Sequence, residues 1–305
     1  MNRSMRILVF ALASLCLVVA PASARTTHEA RPAAITVTDD RGTTITLPAA
    51  PHRIISLAPN VTEILFALGL GREVVGVSSY SNYPTAAAKL PVVINYTSVS
   101  YEKILSLKPD LLVAAGIVPQ AAIAKLRGLR LPVLVTDPRD IPGILGDLRL
   151  VGRAAGEPAV GGALAARLQG RIDRIEAVVR RATTRPRVYY ELDNTLYTAG
   201  RGSFVDSLIT LAGGANVADS VAGPYPQLSK ERLIALNPQD IILGDYYTGN
   251  VTVASVDARP GFAAISAVKL HHVYPFNDDL ASRPGPRIVD GLQAMARLLH
   301  ARLFR

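Results

Sequence analysis

Ser100-Tyr101-Glu102-Lys103-Ile104-Leu105-Ser106-Leu107-Lys108-Pro109-Asp110-Leu111-Leu112-Val113 reads as a capped short helix, a proline turn and a buried strand. Ser229-Lys230-Glu231-Arg232-Leu233-Ile234-Ala235-Leu236-Asn237-Pro238-Gln239-Asp240-Ile241-Ile242-Leu243 repeats the phrase. A second pair agrees with it. Asn60 to Glu63, after an early strand, has a counterpart in Ser203 to Asp206, each with a cap residue and an acid three positions on. Helix, proline turn and strand is a common α/β phrase, but two matched pairs in order favour duplication. Two copies are too few for a solenoid and suit two related lobes.

The remaining strands fit this frame. Ile35–Thr38 and Thr43–Leu47 predict a hairpin turning at Arg41-Gly42, and Arg53–Leu57 predicts a buried strand. Val74–Val77, Val92–Asn95, Leu111–Ala115 and Val133–Thr136 follow, with helical segments between them, which argues for parallel sheets covered by helices. From Ala159 to Thr183 the chain is poor in Gly and Pro. Leu164, Leu168, Ile172, Ile175 and Val179 recur at helical spacing, with Arg167, Arg171, Arg174 and Arg180 mostly between them. This predicts one long amphipathic helix. The organisation expected is a leader over 1–24, an α/β lobe over 25–156, the connecting helix over 157–185 and a second α/β lobe over 186–305.

Met1 to Ala24 carries Arg3 and Arg6, an apolar run from Ile7 to Val19 and the small residues Ala22-Ser23-Ala24, the order of a cleaved secretory signal. Leu15 before the single cysteine, Cys16, is too bulky for lipid attachment, so an exported protein without a lipid anchor is expected. Loss of Arg3 and Arg6 takes the net charge from +9 to about +7, and loss of Cys16 leaves no thiol. A disulfide framework and a cysteine-ligated metal site are thereby excluded. The basic residues lack the aromatic interleaving that stacked bases need, so a solvated helix face is expected and no nucleic-acid partner.

Two lobes on one helix leave a cleft between them, and ligands of open α/β sheets bind beyond the carboxyl ends of the strands. Tyrosines follow those strands. Tyr80, Tyr83 and Tyr96 do so in the first half, and Tyr197, Tyr225 and Tyr246-Tyr247 in the second. Any one loop tyrosine more often packs on local backbone; as a converging set they favour the wall of a site for a large, partly apolar ligand. Asn277 to Gly285 offers acceptors and the Arg283 guanidinium to the same region. No phosphate loop, nucleophile elbow or helical His pair is present, so no enzyme is expected. His271 and His272 adjoin in an apparent strand and cannot chelate one ion together. Glu63 and Asp206 read as helix caps.

Arg53-Ile-Ile-Ser-Leu-Ala-Pro-Asn-Val-Thr-Glu63-Ile-Leu-Phe-Ala-Leu-Gly69, Val75-Gly-Val-Ser-Ser-Tyr80-Ser-Asn-Tyr83-Pro84 and Leu107-Lys-Pro-Asp-Leu-Leu112 together resemble the periplasmic binding proteins of metal-chelate ABC importers, with the cobalamin-binding members most alike. The resemblance covers about residues 50 to 300. It implies an α/β fold of two similar Rossmann-like lobes joined by one rigid helix, with a corrinoid clamped between them as cargo. It also implies no resident cofactor or metal, and a monomer that meets a permease dimer carrying ATPase subunits. The ligand-contacting residues it implies are Tyr80, Tyr83, Tyr96, Tyr197 and Tyr225 with the loop Asp279, Leu280, Ala281, Ser282 and Arg283, where Leu280 and Ala281 replace aromatics. Haem- and siderophore-binding relatives share the scaffold, and Tyr96 lies one residue from the position of an axial tyrosine in the haem binders. Glu102 and Glu231, one per copy of the repeat, match glutamates that dock to permease arginines. Equivalent carboxylates on equivalent helix starts suit a two-fold symmetric partner.

Overall fold

A strand followed by a helix returns to its sheet in parallel, and both large sheets here are parallel throughout. The computed structural model describes residues 33–95, 98–247, 249 and 251–304; the predicted leader and Tyr96 lie outside the described residues. The chain opens with β1 (Ile35–Thr38) and β2 (Thr44–Leu47), an antiparallel hairpin. The Asp39 carboxylate accepts the N–H groups of Arg41 and Thr43 inside its turn, which Gly42 completes at φ +77°.

There follow β3 (Ile54–Ser56), α1 (Pro59–Ala67), β4 (Val74–Ser78), β5 (Val92–Ile94), α2 (Tyr101–Ser106), β6 (Leu111–Ala115), α3 (Gln120–Gly128), β7 (Val133–Thr136) and α4 (Ile141–Ala154). The long helix is α5 (Pro158–Val179). Beyond it lie β8 (Arg187–Glu191), α6 (Phe204–Leu211), β9 (Ala215–Asn216), α7 (Lys230–Leu236), β10 (Asp240–Leu243), α8 (Val253–Asp257), α9 (Ser266–Lys269), β11 (Val273–Pro275) and α10 (Ile288–Leu299). The first lobe's sheet has the order β5-β4-β3-β6-β7 and the second's β11-β10-β8-β9. Read from the opposite edge, the second matches the first without β5.

The likeness extends to side chains. At the start of β3, Arg53 donates its Nε–H to the Leu107 carbonyl (2.8 Å) and its backbone N–H to the Asp110 carboxylate (2.9 Å). At the start of β8, Arg187 donates Nε–H and Nη2–H to the Asn237 carbonyl (3.2 and 2.9 Å) and its backbone N–H to the Gln239 side chain (3.1 Å). Lys108 and Asn237, each just before the proline, both take left-handed backbone (φ 47° and 45°). The repeat differs at its caps. Ser229 accepts the Arg232 N–H, whereas Ser100 makes no side-chain cap bond.

Other local expectations shift. The helix α1 starts at Pro59 with Ala58 as its uncapped N-cap, so Asn60 is already helical and its amide donates to the Pro284 carbonyl (3.3 Å) instead. Glu63 is therefore no cap. Asp206 does act at its helix start, accepting the Gly202 N–H (3.2 Å) while Ser203 accepts the Asp206 N–H (3.1 Å). His271 sits in a turn at φ 58° and β11 begins at Val273, so the adjacent histidines precede the strand. The imidazole of His272 lies 3.3 Å from the Asp240 carboxylate.

One continuous core joins the lobes. It runs from Ile54, Val61 and Leu111 along Leu164, Leu168, Ile172 and Ile175 of α5 to Val188, Leu208 and Leu292. The helix is about 33 Å long at 1.5 Å per residue, and each buried aliphatic on it contributes roughly 1.5–3 kcal/mol. At its start α5 nearly touches α4. A Cβ on Gly161 would stand 2.6 Å from the Leu148 carbonyl oxygen, so no larger residue fits without parting the helices. Among the described residues, no helix is long and apolar enough to cross a membrane. The basic face of α5 is partly neutralised within the fold, by Arg171 on Asp290 (2.6 Å) and Arg180 on Glu176 (3.5 Å).

Asp147 on α4 is buried, and burial first, then the facing Asp40 carboxylate, pushes its pKa up to about 9. An acid held above its unfolded value costs stability once the pH passes that lower value, and the cost grows until the folded pKa is reached. Asp147→Asn should therefore melt higher than the parent at pH 8, by about 2–4 °C for each kcal/mol regained. The difference should shrink as the pH falls toward 4, as followed by circular dichroism.

Candidate functional site

In each sheet the strand order reverses beside the first core strand, between β3 and β6 in one lobe and β8 and β10 in the other. Loops leaving the carboxyl ends there diverge and open a crevice. The two lobes support these loops differently. In the first lobe a buried chain of hydroxyls runs from Ser56 to Thr62 (2.7 Å), Thr62 to Ser81 (2.7 Å) and Ser81 to Ser78 (2.8 Å). It ties β3, α1 and the loop after β4 together, and so fixes the segment that carries Tyr80 and Tyr83.

Buried charge does the same work in the second lobe. Glu191, at the carboxyl end of β8, is wholly buried and receives both Nη groups of Arg259 (2.6 and 2.7 Å). Asp245, just past β10, is buried, and among the described residues its oxygens meet no donor within hydrogen-bond geometry; burial and then the Glu191 charge raise its pKa to about 6. Above them, Asp193 accepts the Thr195 N–H (2.8 Å) and hydroxyl (2.6 Å), turning the chain through Leu196 at φ 68°. Tyr197 then pairs antiparallel with Gln227, which sets it beside the segment of Tyr225.

Tyr80, Tyr83, Tyr197 and Tyr225 are between 41% and 55% exposed, available on one face and seated on the other. Tyr247, 68% exposed, meets Tyr246 edge-on at 4.9 Å beyond β10. The last loop divides. Asp279 is partly exposed and Ser282 exposed, but Leu280 packs on the core and Ala281 is wholly buried, so Ala281 forms no part of a cleft wall. Their inward turn closes the loop against α10, where Gly291 leaves room for the Leu280 carbonyl. Glu102 and Glu231 stand exposed in the first turns of α2 and α7. The backbone N–H at Glu231 itself and the Ser229 hydroxyl hold its carboxyl below the usual range.

The lobes meet where this loop crosses to α1. Glu63, 3% exposed, takes a two-point fork from Arg287 (Nε 2.8 Å, Nη2 2.6 Å) and a third bond from Arg283 (3.3 Å). Arg283 also donates to Asn82 (2.7 Å) and pairs with Asp279 (2.7 Å), and the Arg287 guanidinium lies 4.0 Å from the Tyr83 ring centre. Sequence reasoning gave Arg283 to the ligand; its donors are engaged between the lobes. The missed residues are Glu63, Arg287, Glu191 and Arg259. The readable trace of Glu63 is a carboxylate amid Val61, Ile64 and Leu65, an apolar setting that needs a counter-charge. Among the described residues, no group of three or more His, Cys, Asp or Glu is placed to hold a metal ion.

The sequence model of the periplasmic binding protein family matches residues 54–280. The chain belongs to that family. This binding protein is 33% identical over 256 residues to the vitamin B12-binding protein of Vibrio cholerae, covering 83% of this chain and 90% of that one. It is 30% identical over 279 residues to an uncharacterized ABC transporter substrate-binding lipoprotein of Bacillus subtilis, covering 89% and 87%. Among solved structures, the periplasmic vitamin B12 binding protein of Vibrio cholerae superposes with a TM-score of 0.74 at 31% identity, covering 84% of this chain and 99% of that one. The periplasmic heme-binding protein of Roseiflexus sp. RS-1 does so at 0.74 and 30%, covering 83% and 99%. The two-lobed α/β architecture is thus that of extracytoplasmic binding proteins, as the resemblance implied.

Removing one partner of a buried pair leaves an uncompensated charge, which costs about 3–5 kcal/mol. Arg259→Met should lower the unfolding free energy in urea by about that amount at pH 7, where Glu191 loses its counter-charge. Glu191→Gln with Arg259→Met should recover part of the loss.

Proposed function

We infer that this protein captures a corrinoid of the cobalamin type between its lobes and delivers it to an ABC importer of the inner membrane. Half-exposed tyrosines carry the reading: Tyr80 and Tyr83 on one lobe, and Tyr197 and Tyr225 on the other, around the Asp279–Arg283 loop at which the lobes meet. Flat rings with polar tips suit a large macrocycle edged with amides. The leader and the family support a periplasmic location. The vitamin B12-binding relatives, alike over most of the chain, support the ligand class.

Haem is the second reading, favoured by the equal likeness to a heme-binding structure. Haem carries two carboxylates, and a cleft for it needs free cations. Arg283 and Arg287 are already matched by Glu63 and Asp279, which favours the amide-bearing corrinoid. Glu102 and Glu231 face outward from equivalent helix starts and serve as the contacts to the two permease subunits.

Calorimetry should give one-to-one binding of cyanocobalamin and of cobinamide. Tyr80→Ala should weaken it by about 0.5–1.5 kcal/mol, a few-fold to about tenfold. Absence of heat with either corrinoid, together with a Soret shift on haem addition, would replace the first reading by the second. For docking, Glu102→Ala with Glu231→Ala should leave corrinoid affinity unchanged and reduce uptake in cells; uptake at the parent rate refutes that role.

A further inference from the structure

Buried carboxylates are tolerated when paired, and a helix offers pairing one turn away, at i,i+4. Glu63 does not use it. Its partners lie 220 and 224 residues away, on the loop and helix start of the other lobe. The three side chains form a junction rather than a pair. Arg287 presents its flat fork to Glu63 and its face to Tyr83, while Arg283 spans Glu63, Asn82 and Asp279. Two cations and two carboxylates cancel, so the junction carries no net charge toward the cleft. The Asn60 amide on the Pro284 carbonyl adds a neutral bond beside it.

We propose that Glu63 is the positioning residue of the cleft: through Arg283 and Arg287 it latches the two lobes at one separation and holds the Tyr83 ring flat for the ligand. The apolar seam along α5 sets how the lobes are joined, but a seam of aliphatic contacts tolerates small rotations. Fork geometry does not, because both Nη2 and Nε must meet their oxygens at once. With one ring face against a guanidinium, Tyr83 offers the other to the ligand without having to reorient. A preorganised wall of this kind lowers the ordering cost of binding, and its loss is read mainly in the dissociation rate. The inference rests on the inter-lobe cleft being the ligand site.

The test uses the cysteine-free mature chain with Ala121→Cys and Ala254→Cys. These exposed positions start α3 and lie in α8, one per lobe and each beyond a sheet's carboxyl edge. Spin labels there should give one narrow distance in the parent and a broader or longer distribution in Glu63→Gln. Cyanocobalamin should leave Glu63→Gln roughly tenfold faster. Arg287→Lys, which keeps the charge but loses the fork and the flat face, should fall between the two and serves if Glu63→Gln does not fold. A parent-like distance in both variants, with dissociation unchanged within about twofold even where the melting temperature has dropped, overturns the latch and leaves Glu63 a structural pair only. If the parent binds no corrinoid, the ligand reading fails, while the distance measurement still decides the latch.

Discussion

A carboxylate placed inside an apolar helix face must find positive charge or stay neutral, and Glu63 finds two guanidiniums on the opposite lobe. Much of the cleft follows from that requirement. The loop after β11 has to reach α1, which brings Arg283 and the Pro284 carbonyl to the first lobe while Leu280 and Ala281 turn into the core. It also seats Arg287 behind Tyr83. The separation of the lobes and the setting of the Tyr83 ring are consequences of one buried charge.

The two lobes reach similar ends by different means. Both pin the start of the first core strand with an arginine on the carbonyl before a proline turn, and both place a carboxylate in the first turn of the short helix leading into that turn. Beneath the crevice they part. One lobe uses four hydroxyls in a chain, the other a buried Glu–Arg pair with the buried carboxylate of Asp245 beside it. Hydroxyls carry no net charge and titrate nowhere near neutrality, whereas Asp245 changes protonation near pH 6.

Fold was readable because it follows local rules. Alternation of strand and helix, the apolar spacing from Leu164 to Ile175 and the matched phrases at Ser100 and Ser229 each act over a few residues. The position of Tyr80, Tyr83 and Tyr197 on exposed loops beyond strands was readable for the same reason. The latch was not. Glu63 has the sequence setting of a cap residue, and only the packing of α10 against α5 and α6 brings Arg287 within reach. Likewise Ser100 has the letters of a cap, but its backbone, at φ −86° and ψ 85°, leaves its hydroxyl without the bond. Nothing within seven residues of Glu191 announces Arg259, because the pair closes over 68 positions.

The brackets that pin each lobe close over 54 and 50 positions, but the latch closes over 220 or more. Contacts between distant parts of a chain are slower to form than those between near ones. Each lobe can thus assemble its own sheet before the junction exists. Arg283 and Arg287 are synthesised 220 and 224 residues after Glu63, so a nascent chain carries Glu63 without its counter-charge until the segment that opens α10 has been made. Closure of the lobes thus waits on a segment made long after the sheet of the first lobe.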